Sequence, residues 1–471
     1  MSEFNGAVTG TPSLGNICLQ RWELVLDSSI GKGGRVDSGD TAWVLVSAAL
    51  VMLMTPGLAF FYGGMVRSRG VLNMLMMSLG SMGVVGVLWV LYGYTMAFGS
   101  DLGGLGLLGS PGEFFGMSGL LDSGVLSDTI PTLAFAVFQA MFAILTVALI
   151  SGAVADRARF GPWLLFGGLW ATLVYFPVAH WVFDLTEPGG WIATYLSAID
   201  FAGGTAVHIN AGAAALALVL VLGKRSGWPR ESGKPHNLPF VVLGAGLLWF
   251  GWFGFNGGSA LTAGHTAAVA VVNTLVATSA AMLGWLLVER LRDGHATTLG
   301  AASGIVAGLV AITPACSSVS PLGAIAIGAL SGFVCALAVS LKYRFGYDDA
   351  LDVVGVHLVG GLLGTLLVGL FAAPAAPEGV AGLFYGGGFD QLWRQAVGAG
   401  SVLVYSFVLT LLIAWVVRAT VGFRVSPADE SEGIDERQHA ETGYHFSDEL
   451  IPSRRSRGRA PRDRELEGSS P

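Results

Sequence analysis

Charge is scarce in this chain. Only 12% of its 471 residues are Asp, Glu, Lys or Arg, while 53% are hydrophobic. A soluble protein of this size cannot hide so much apolar surface, so the composition excludes that class and indicates a polytopic membrane protein. Cysteine is almost absent. Cys18, Cys316 and Cys335 are far apart, which excludes a disulfide framework and speaks against zinc or thiol chemistry. No metal-ligand cluster, nucleophile elbow or phosphate loop is legible, which speaks against an enzyme and against a cofactor. No basic region followed by an apolar core precedes Ala42, so no cleavable signal peptide is expected. The net charge of −7 has little weight, because charge is confined to loops and tails.

Glycine, by contrast, is abundant at 69 residues, and small residues let membrane helices approach where no hydrophobic force drives them together. A helix crosses a bilayer with ~20 apolar residues. On that basis the chain predicts spans at about Ala42–Tyr62, Val71–Phe98, Ile130–Ala155, Pro162–Phe183, Phe201–Gly223, Leu238–Gly257 and His265–Val288. Residues 299–341 carry no charge and are too long for one span, so the prolines from Pro314 to Pro321 must divide them in two. Val353–Ala373 and Gln395–Val417 bring the count to eleven.

Loop charge alternates. One set holds Arg67, Arg69, Arg157, Arg159, Lys224, Arg225, Arg230, Lys234, Arg290, Arg292, Lys342, Arg344, Arg418 and Arg424. The other holds Asp101, Glu113, Asp122, Asp128, Asp184, Glu187, Glu378 and Asp390 against the single Arg394. Basic loops face the cytoplasm. Residues 1–40 are therefore expected outside, 41–418 in the membrane, and 419–471 as a cytoplasmic tail. An odd-numbered repeat must invert, so the expected fold is an all-α bundle of two inverted five-helix repeats plus one extra helix.

The fifth span of each half carries a histidine. Asp200 opens the run that holds His208, about 12 Å deeper at ~1.5 Å per residue, and Asp352 precedes His357 in the second half. A lone intramembrane His often only bonds a neighbouring helix. Two of them in corresponding helices mark a pathway, and inverted repeats place such a site near the midplane. His208 and His357 are expected to meet there.

Several phrases are specific: Pro56-Gly57-Leu58-Ala59-Phe60-Phe61-Tyr62-Gly63-Gly64, Asp200 to His208, Lys234-Pro235-His236-Asn237-Leu238-Pro239, Gly251-Trp252-Phe253-Gly254-Phe255-Asn256, Thr313-Pro314-Ala315-Cys316 and Asp352 to His357. From Asp40 to about Tyr444 the chain resembles the ammonium transporter family (the Amt/Mep/Rh superfamily), on its bacterial Amt branch. The resemblance implies an eleven-helix bundle with a pseudo-twofold, assembled as a homotrimer with one pore per subunit. It implies Asp200 as the outer-vestibule aspartate, Phe142 and Phe255 as stacked gate rings, and Ser259 as the hydroxyl that bonds ammonium outside the gate. His208 and His357 match the twin histidines, with Thr313 along the pore. Where the family has a cation-capping Trp, this chain has Phe183, a weaker cation–π partner; Trp181 or Trp191 could substitute.

These residue types suit one problem. A bare ammonium ion in an apolar pore would cost tens of kcal/mol before compensation, and neutral ammonia far less. A selective device can bind the ion among aromatics, strip its proton, and pass ammonia along imidazoles that both donate and accept. Methylammonium is a further expected substrate. Rival readings are an ammonium sensor, a neutral-gas channel of the Rh type, and a membrane enzyme. The Lys234 to Pro239 phrase and the tail favour the Amt branch. Acidic residues run from Asp429 to Glu441, before an Arg-rich end. Gly422, Asp435, His439, Glu441 and Tyr444 resemble the family's regulatory tail, which docks on a neighbouring subunit and helps receive a P-II-type signal-transduction protein. Ala440 and Gly443 depart from that pattern. Order is expected from Gly422 to Tyr444 and not beyond about Ser453.

Overall fold

The computed structural model describes residues 35–230 and 234–444. Among them ten helices are long and apolar enough to cross a membrane, and an eleventh apolar helix is shorter. In chain order they are α1 (Ser38–Met65), α2 (Val71–Phe98), α3 (Thr132–Val154), α4 (Phe160–Phe183), α5 (Gly204–Leu222), α6 (Leu238–Gly258), α7 (His265–Asp293), the shorter α8 (Thr298–Ile312), α9 (Pro321–Phe345), α10 (Val354–Phe371) and α11 (Asp390–Thr420). Two short strands, Leu126–Ser127 and Ile130–Pro131, pair antiparallel before α3.

The expected division of residues 299–341 is present. α8 stops at Ile312, before Pro314, and α9 starts on Pro321, whose missing N–H costs nothing in a first turn. Ser320 caps α9 by accepting from the Gly323 amide at 3.2 Å. α1, α7 and α11 run past the predicted apolar limits, because helical hydrogen bonding continues into the flanking charged residues.

α5 starts three residues later than expected, for a reason that concerns the site. Residues 200–203 form a cap. Asp200 Oδ1 accepts from the amides of Gly203 (2.9 Å) and Gly204 (2.6 Å), and Oδ2 from Thr205 (2.7 Å) and Ala206 (3.1 Å). One carboxylate thus satisfies all four orphan donors of a helix start, which would be expensive unpaired in an apolar interior. Gly203, at φ 118°, makes the turn into the helix.

The second half repeats the device, with a different aspartate from the expected one. Asp349, not Asp352, accepts from Val353 (3.1 Å) and Val354 (2.7 Å) at the start of α10. Asp352 instead pairs with Lys342 at 2.7 Å. Asp349 precedes His357 by eight residues, as Asp200 precedes His208. Both capped turns, Gly204–Ile209 and Val354–Leu358, are π-helical, a wider winding frequent at functional sites.

Helices α5 and α10 cross through glycines placed four residues after each histidine. A Cβ on Gly361 would stand 3.1 Å from His208 Cβ, and one on Gly212 only 2.4 Å from the Leu358 nitrogen. The pair can approach only because those side chains are missing. α11 backs them, its Ser406 hydroxyl donating to the Asn210 carbonyl at 2.8 Å.

The basic loops meet on one face. Arg157 and Arg225 both bind Asp348, and Arg67 lies 3.7 Å from Asp156. The tail folds back onto this face through α12 (Pro427–Glu432) and α13 (Ile434–His439). Asp435 caps α2, accepting from the Leu72 and Asn73 amides. His439 Nε2 meets Asn73 Oδ1 at 3.1 Å and its ring packs on Phe160. Tyr444 bonds His236 at 2.8 Å. All these partners belong to the tail's own chain. Residues 422–444 pack against this face; the segment beyond Ser453, the Arg-rich end and Cys18 lie outside the described residues.

Burial pushes the His439 imidazole down, while Asp435 and Glu441 pull it back up. A histidine depressed in the docked state favours docking above its free value and opposes it as pH falls from there toward the docked value. Asp435, pushed up by burial against its two amide bonds, works in the opposite sense. Amide protection across residues 434–439, corrected for the intrinsic exchange rate at each pH, should fall as pH drops from about 7.5 to about 5.5, either side of the free-histidine value of about 6.5. His439→Gln should flatten that change; an unchanged pH response in the variant contradicts the assignment to His439.

Candidate pore site

Aromatic and imidazole rings from five helices form a continuous column inside the bundle. Phe183, at the end of α4, stands 6.3 Å from Phe142 on α3, and Phe142 lies 4.3 Å from Phe255 on α6, tilted by 35°. Phe255 is 6.1 Å from the His208 ring on α5, and His208 is 5.3 Å from His357 on α10, at 25°. The two Nδ1 atoms approach to 3.3 Å. Phe142, Phe255, His208 and His357 are all buried. The sequence expected the two histidines side by side, and they are.

One Nδ1 must carry a proton and the other must accept it, which fixes opposite tautomers in the two rings. The Nε2 of His208 is buried and has no hydrogen-bond partner. Such an atom is costly unless a guest satisfies it, so the pair presents an unspent polar position in an otherwise apolar passage.

Three further residues belong to the site and were missed in the sequence. Phe138 sits edge-on to Phe142 at 4.9 Å; its position one helical turn earlier was the available signal. Trp252 stacks on His208 at 5.4 Å and 19°, and its Nε1 donates to Thr313 Oγ1 at 2.9 Å. Thr313 in turn donates to the Leu309 carbonyl. Its hydroxyl is thereby used in holding Trp252 against His208. Asp349 is the third, and the eight-residue spacing would have revealed it.

Ser259 lies one turn beyond Phe255, toward the acidic loops, and donates to the Phe255 carbonyl at 2.8 Å. Its oxygen keeps lone pairs for a donor above the ring pair. Asp200 is not placed as a free charge at the mouth, since both its oxygens are taken up by amides. Trp181 and Trp191 pack against each other at 5.8 Å with their rings tilted by 60°, Trp181 also packs on Tyr405, and its Nε1 is spent on the Leu107 carbonyl. Of the three candidate caps, Phe183 is the one in ring contact with Phe142. Among the described residues no group of His, Cys, Asp and Glu could hold a metal ion. The tail positions Gly422, Asp435, His439 and Tyr444 lie on the basic face, and Glu441 is exposed.

Bundle and ring column together define a multi-span membrane transport protein rather than an enzyme. The Ammonium Transporter Family model matches residues 42–444, and the chain belongs to that family. An ammonium transporter of Mycobacterium tuberculosis is 63% identical over 449 residues, covering 89% of this chain and 94% of that protein. The crystal structure of Saccharomyces cerevisiae Mep2 superposes with a TM-score of 0.79 at 36% identity, over 89% of this chain and 94% of that one. A structure described as a sensor Amt protein superposes at 0.78 with 29% identity, over 85% and 98%.

Phe183→Trp should strengthen the aromatic side of the outer position. A gain of ~0.5–1 kcal/mol corresponds to a half-saturating ammonium concentration roughly two- to fivefold lower. Uptake kinetics across an ammonium series give that value; an unchanged or higher concentration would move the capping role away from Phe183.

Proposed function

We propose that the protein recruits ammonium between Phe183, Phe142, Phe255 and Ser259, removes a proton there, and conducts ammonia past His208 and His357. The observation that carries this reading is the Nδ1–Nδ1 contact of 3.3 Å at the end of a buried aromatic column. The rings of Phe142 and Phe255 close the passage to a hydrated ion. Beyond them an ion would be stripped of water at a cost of tens of kcal/mol before compensation, whereas ammonia needs only one donor and one acceptor at a time. The imidazole pair offers both, and a proton handed from one ring to the next gives the separated charge a route. Asp200 supports the chemistry by fixing the π-helical turn that carries His208.

In this reading the basic face is cytoplasmic and the chain lies in the cell's inner membrane. Residues 1–40 lie outside, 41–418 form the transport domain and 419–471 the cytoplasmic tail. Each protomer of a homotrimer holds one pore, and the docked tail with its neighbouring loops receives a P-II-type protein. Native mass spectrometry should give a trimer, and a pull-down with a P-II protein should depend on the tail; monomers, or capture indifferent to tail removal, would contradict these assignments. Sensing is a second reading, favoured by the tail's direct hold on α2 through Asp435.

Protein reconstituted in liposomes should pass current after an ammonium jump and none after a potassium jump. His208→Ala should lower that current roughly a hundredfold or more, the scale of a lost proton-transfer group. Asp200→Ala should nearly abolish it. Asp200→Asn should retain part, because one carbonyl oxygen still accepts amides. Wild-type current in both Ala variants would sink the mechanism.

A further inference from the structure

We infer that the basic face carries a binding site for a phosphate group, built jointly by the tail and two interhelical loops. A cavity of about 370 Å³ opens between them. Arg67, Arg69, Lys234 and His236 form the body side, and Ser431 and Gly433 the tail side. Asp156 also lines it and is buried.

The charges in this cavity do not balance. Arg67 Nη2 donates to the Glu430 carbonyl at 2.7 Å, and Arg69 Nη1 to the Glu432 carbonyl at 3.1 Å. Carbonyls accept hydrogen bonds but cancel no full charge. Lys234 is exposed and makes no ion pair among the described residues. Among the described residues that line the cavity, the one acid against these three cations is Asp156, 3.7 Å from Arg67 and itself shared with Arg225 at 3.9 Å; Asp435, near enough to act on Asp156 and His236, is taken up by two backbone amides. A phosphate monoester carries about −1.5 to −2 charges at pH 7 and a phosphodiester headgroup a single one, and either suits that excess. Guanidinium forks match its oxygens in geometry as well as charge.

The helix start nearby is not the attracting feature, because Asp435 already occupies the Leu72 and Asn73 amides. The tail wall is held in place by backbone form. Gly433 has φ 124°, and a Cβ there would lie 2.5 Å from Arg69 Cβ. The cavity therefore exists only while the tail is docked, and a ligand bridging both walls would hold it docked. At about 370 Å³ the space lies within the ~300–1,000 Å³ range of small-molecule pockets. It fits a phosphate monoester from solution or the phosphodiester headgroup of an anionic lipid. The inference does not rest on the transport reading, since the ring column plays no part in it.

The full-length protein in detergent should be titrated by calorimetry with inorganic phosphate and with AMP, and separately with phosphatidylglycerol by native mass spectrometry. One saturable site per chain is expected for a phosphate-class ligand. Arg69→Gln and Lys234→Gln should each weaken it roughly tenfold, the loss of one charge-assisted hydrogen bond. Truncation after Val425 should abolish it. Arg344→Gln, in the last turn of α9 and outside the cavity, is the control for non-specific charge attraction and should leave binding unchanged. Sensitivity to the two cavity substitutions in the phosphate and AMP arms assigns a soluble ligand; the same sensitivity in the lipid arm alone assigns a headgroup. No binding in any arm, or binding indifferent to both substitutions, overturns the proposal.

Discussion

Four backbone amides bonded to one carboxylate hold the rest of the site in place. In an apolar interior an unpaired N–H has no water to turn to, so a helix that starts inside the bundle must bring its own acceptor. Asp200 does this completely for α5, and Asp349 partly for α10. For Asp200 the cost of the charge is offset by those bonds alone, whereas Asp349 also has Lys342 beside it. The histidines are then fixed by their backbones, and their rings remain available to each other.

That arrangement explains why small residues recur where they do. His208 and His357 can meet only if α5 and α10 nearly touch, and Gly212 and Gly361 are the positions where they do. Trp252, held by Thr313, closes one side of His208 and keeps its ring parallel to its neighbours. The column is consequently buried and almost without polar atoms except at the imidazoles. In the proposed reading such a column discriminates by charge, since desolvation penalises an ion far more than a neutral molecule of the same size.

The two faces of the bundle have opposite characters. Acidic loops lie on the side of Phe183 and Ser259, and basic loops on the side where the tail docks. A negative field raises the local concentration of cations at one end, and a positive one attracts anions at the other. The basic face is further knitted by Arg157, Arg225 and Asp348, next in sequence to the Asp349 cap of α10. The tail reaches the same network through Glu430, which accepts from the Ser226 amide and pairs with Arg424. Tail and pore helix are thus separated by few contacts.

The sequence by itself determined the membrane class, the positions of the helices, the loop asymmetry and the two intramembrane histidines. Each is written in local composition: apolar runs of bilayer length, prolines that end helices, and ionisable residues too costly to lie in lipid without purpose. It also marked Phe142, Phe255 and Ser259, through phrases shared with a family. Only the tertiary structure decided that Asp349 rather than Asp352 mirrors Asp200, because a cap is recognised by which amides it reaches. Only there did Phe183, rather than Trp181 or Trp191, turn out to face Phe142, since all three are aromatic and near in sequence while their ring directions are set by packing. The same holds for Trp252 and for the tail's seat on α2. A side chain's type is local information, but what it touches depends on residues hundreds of positions away.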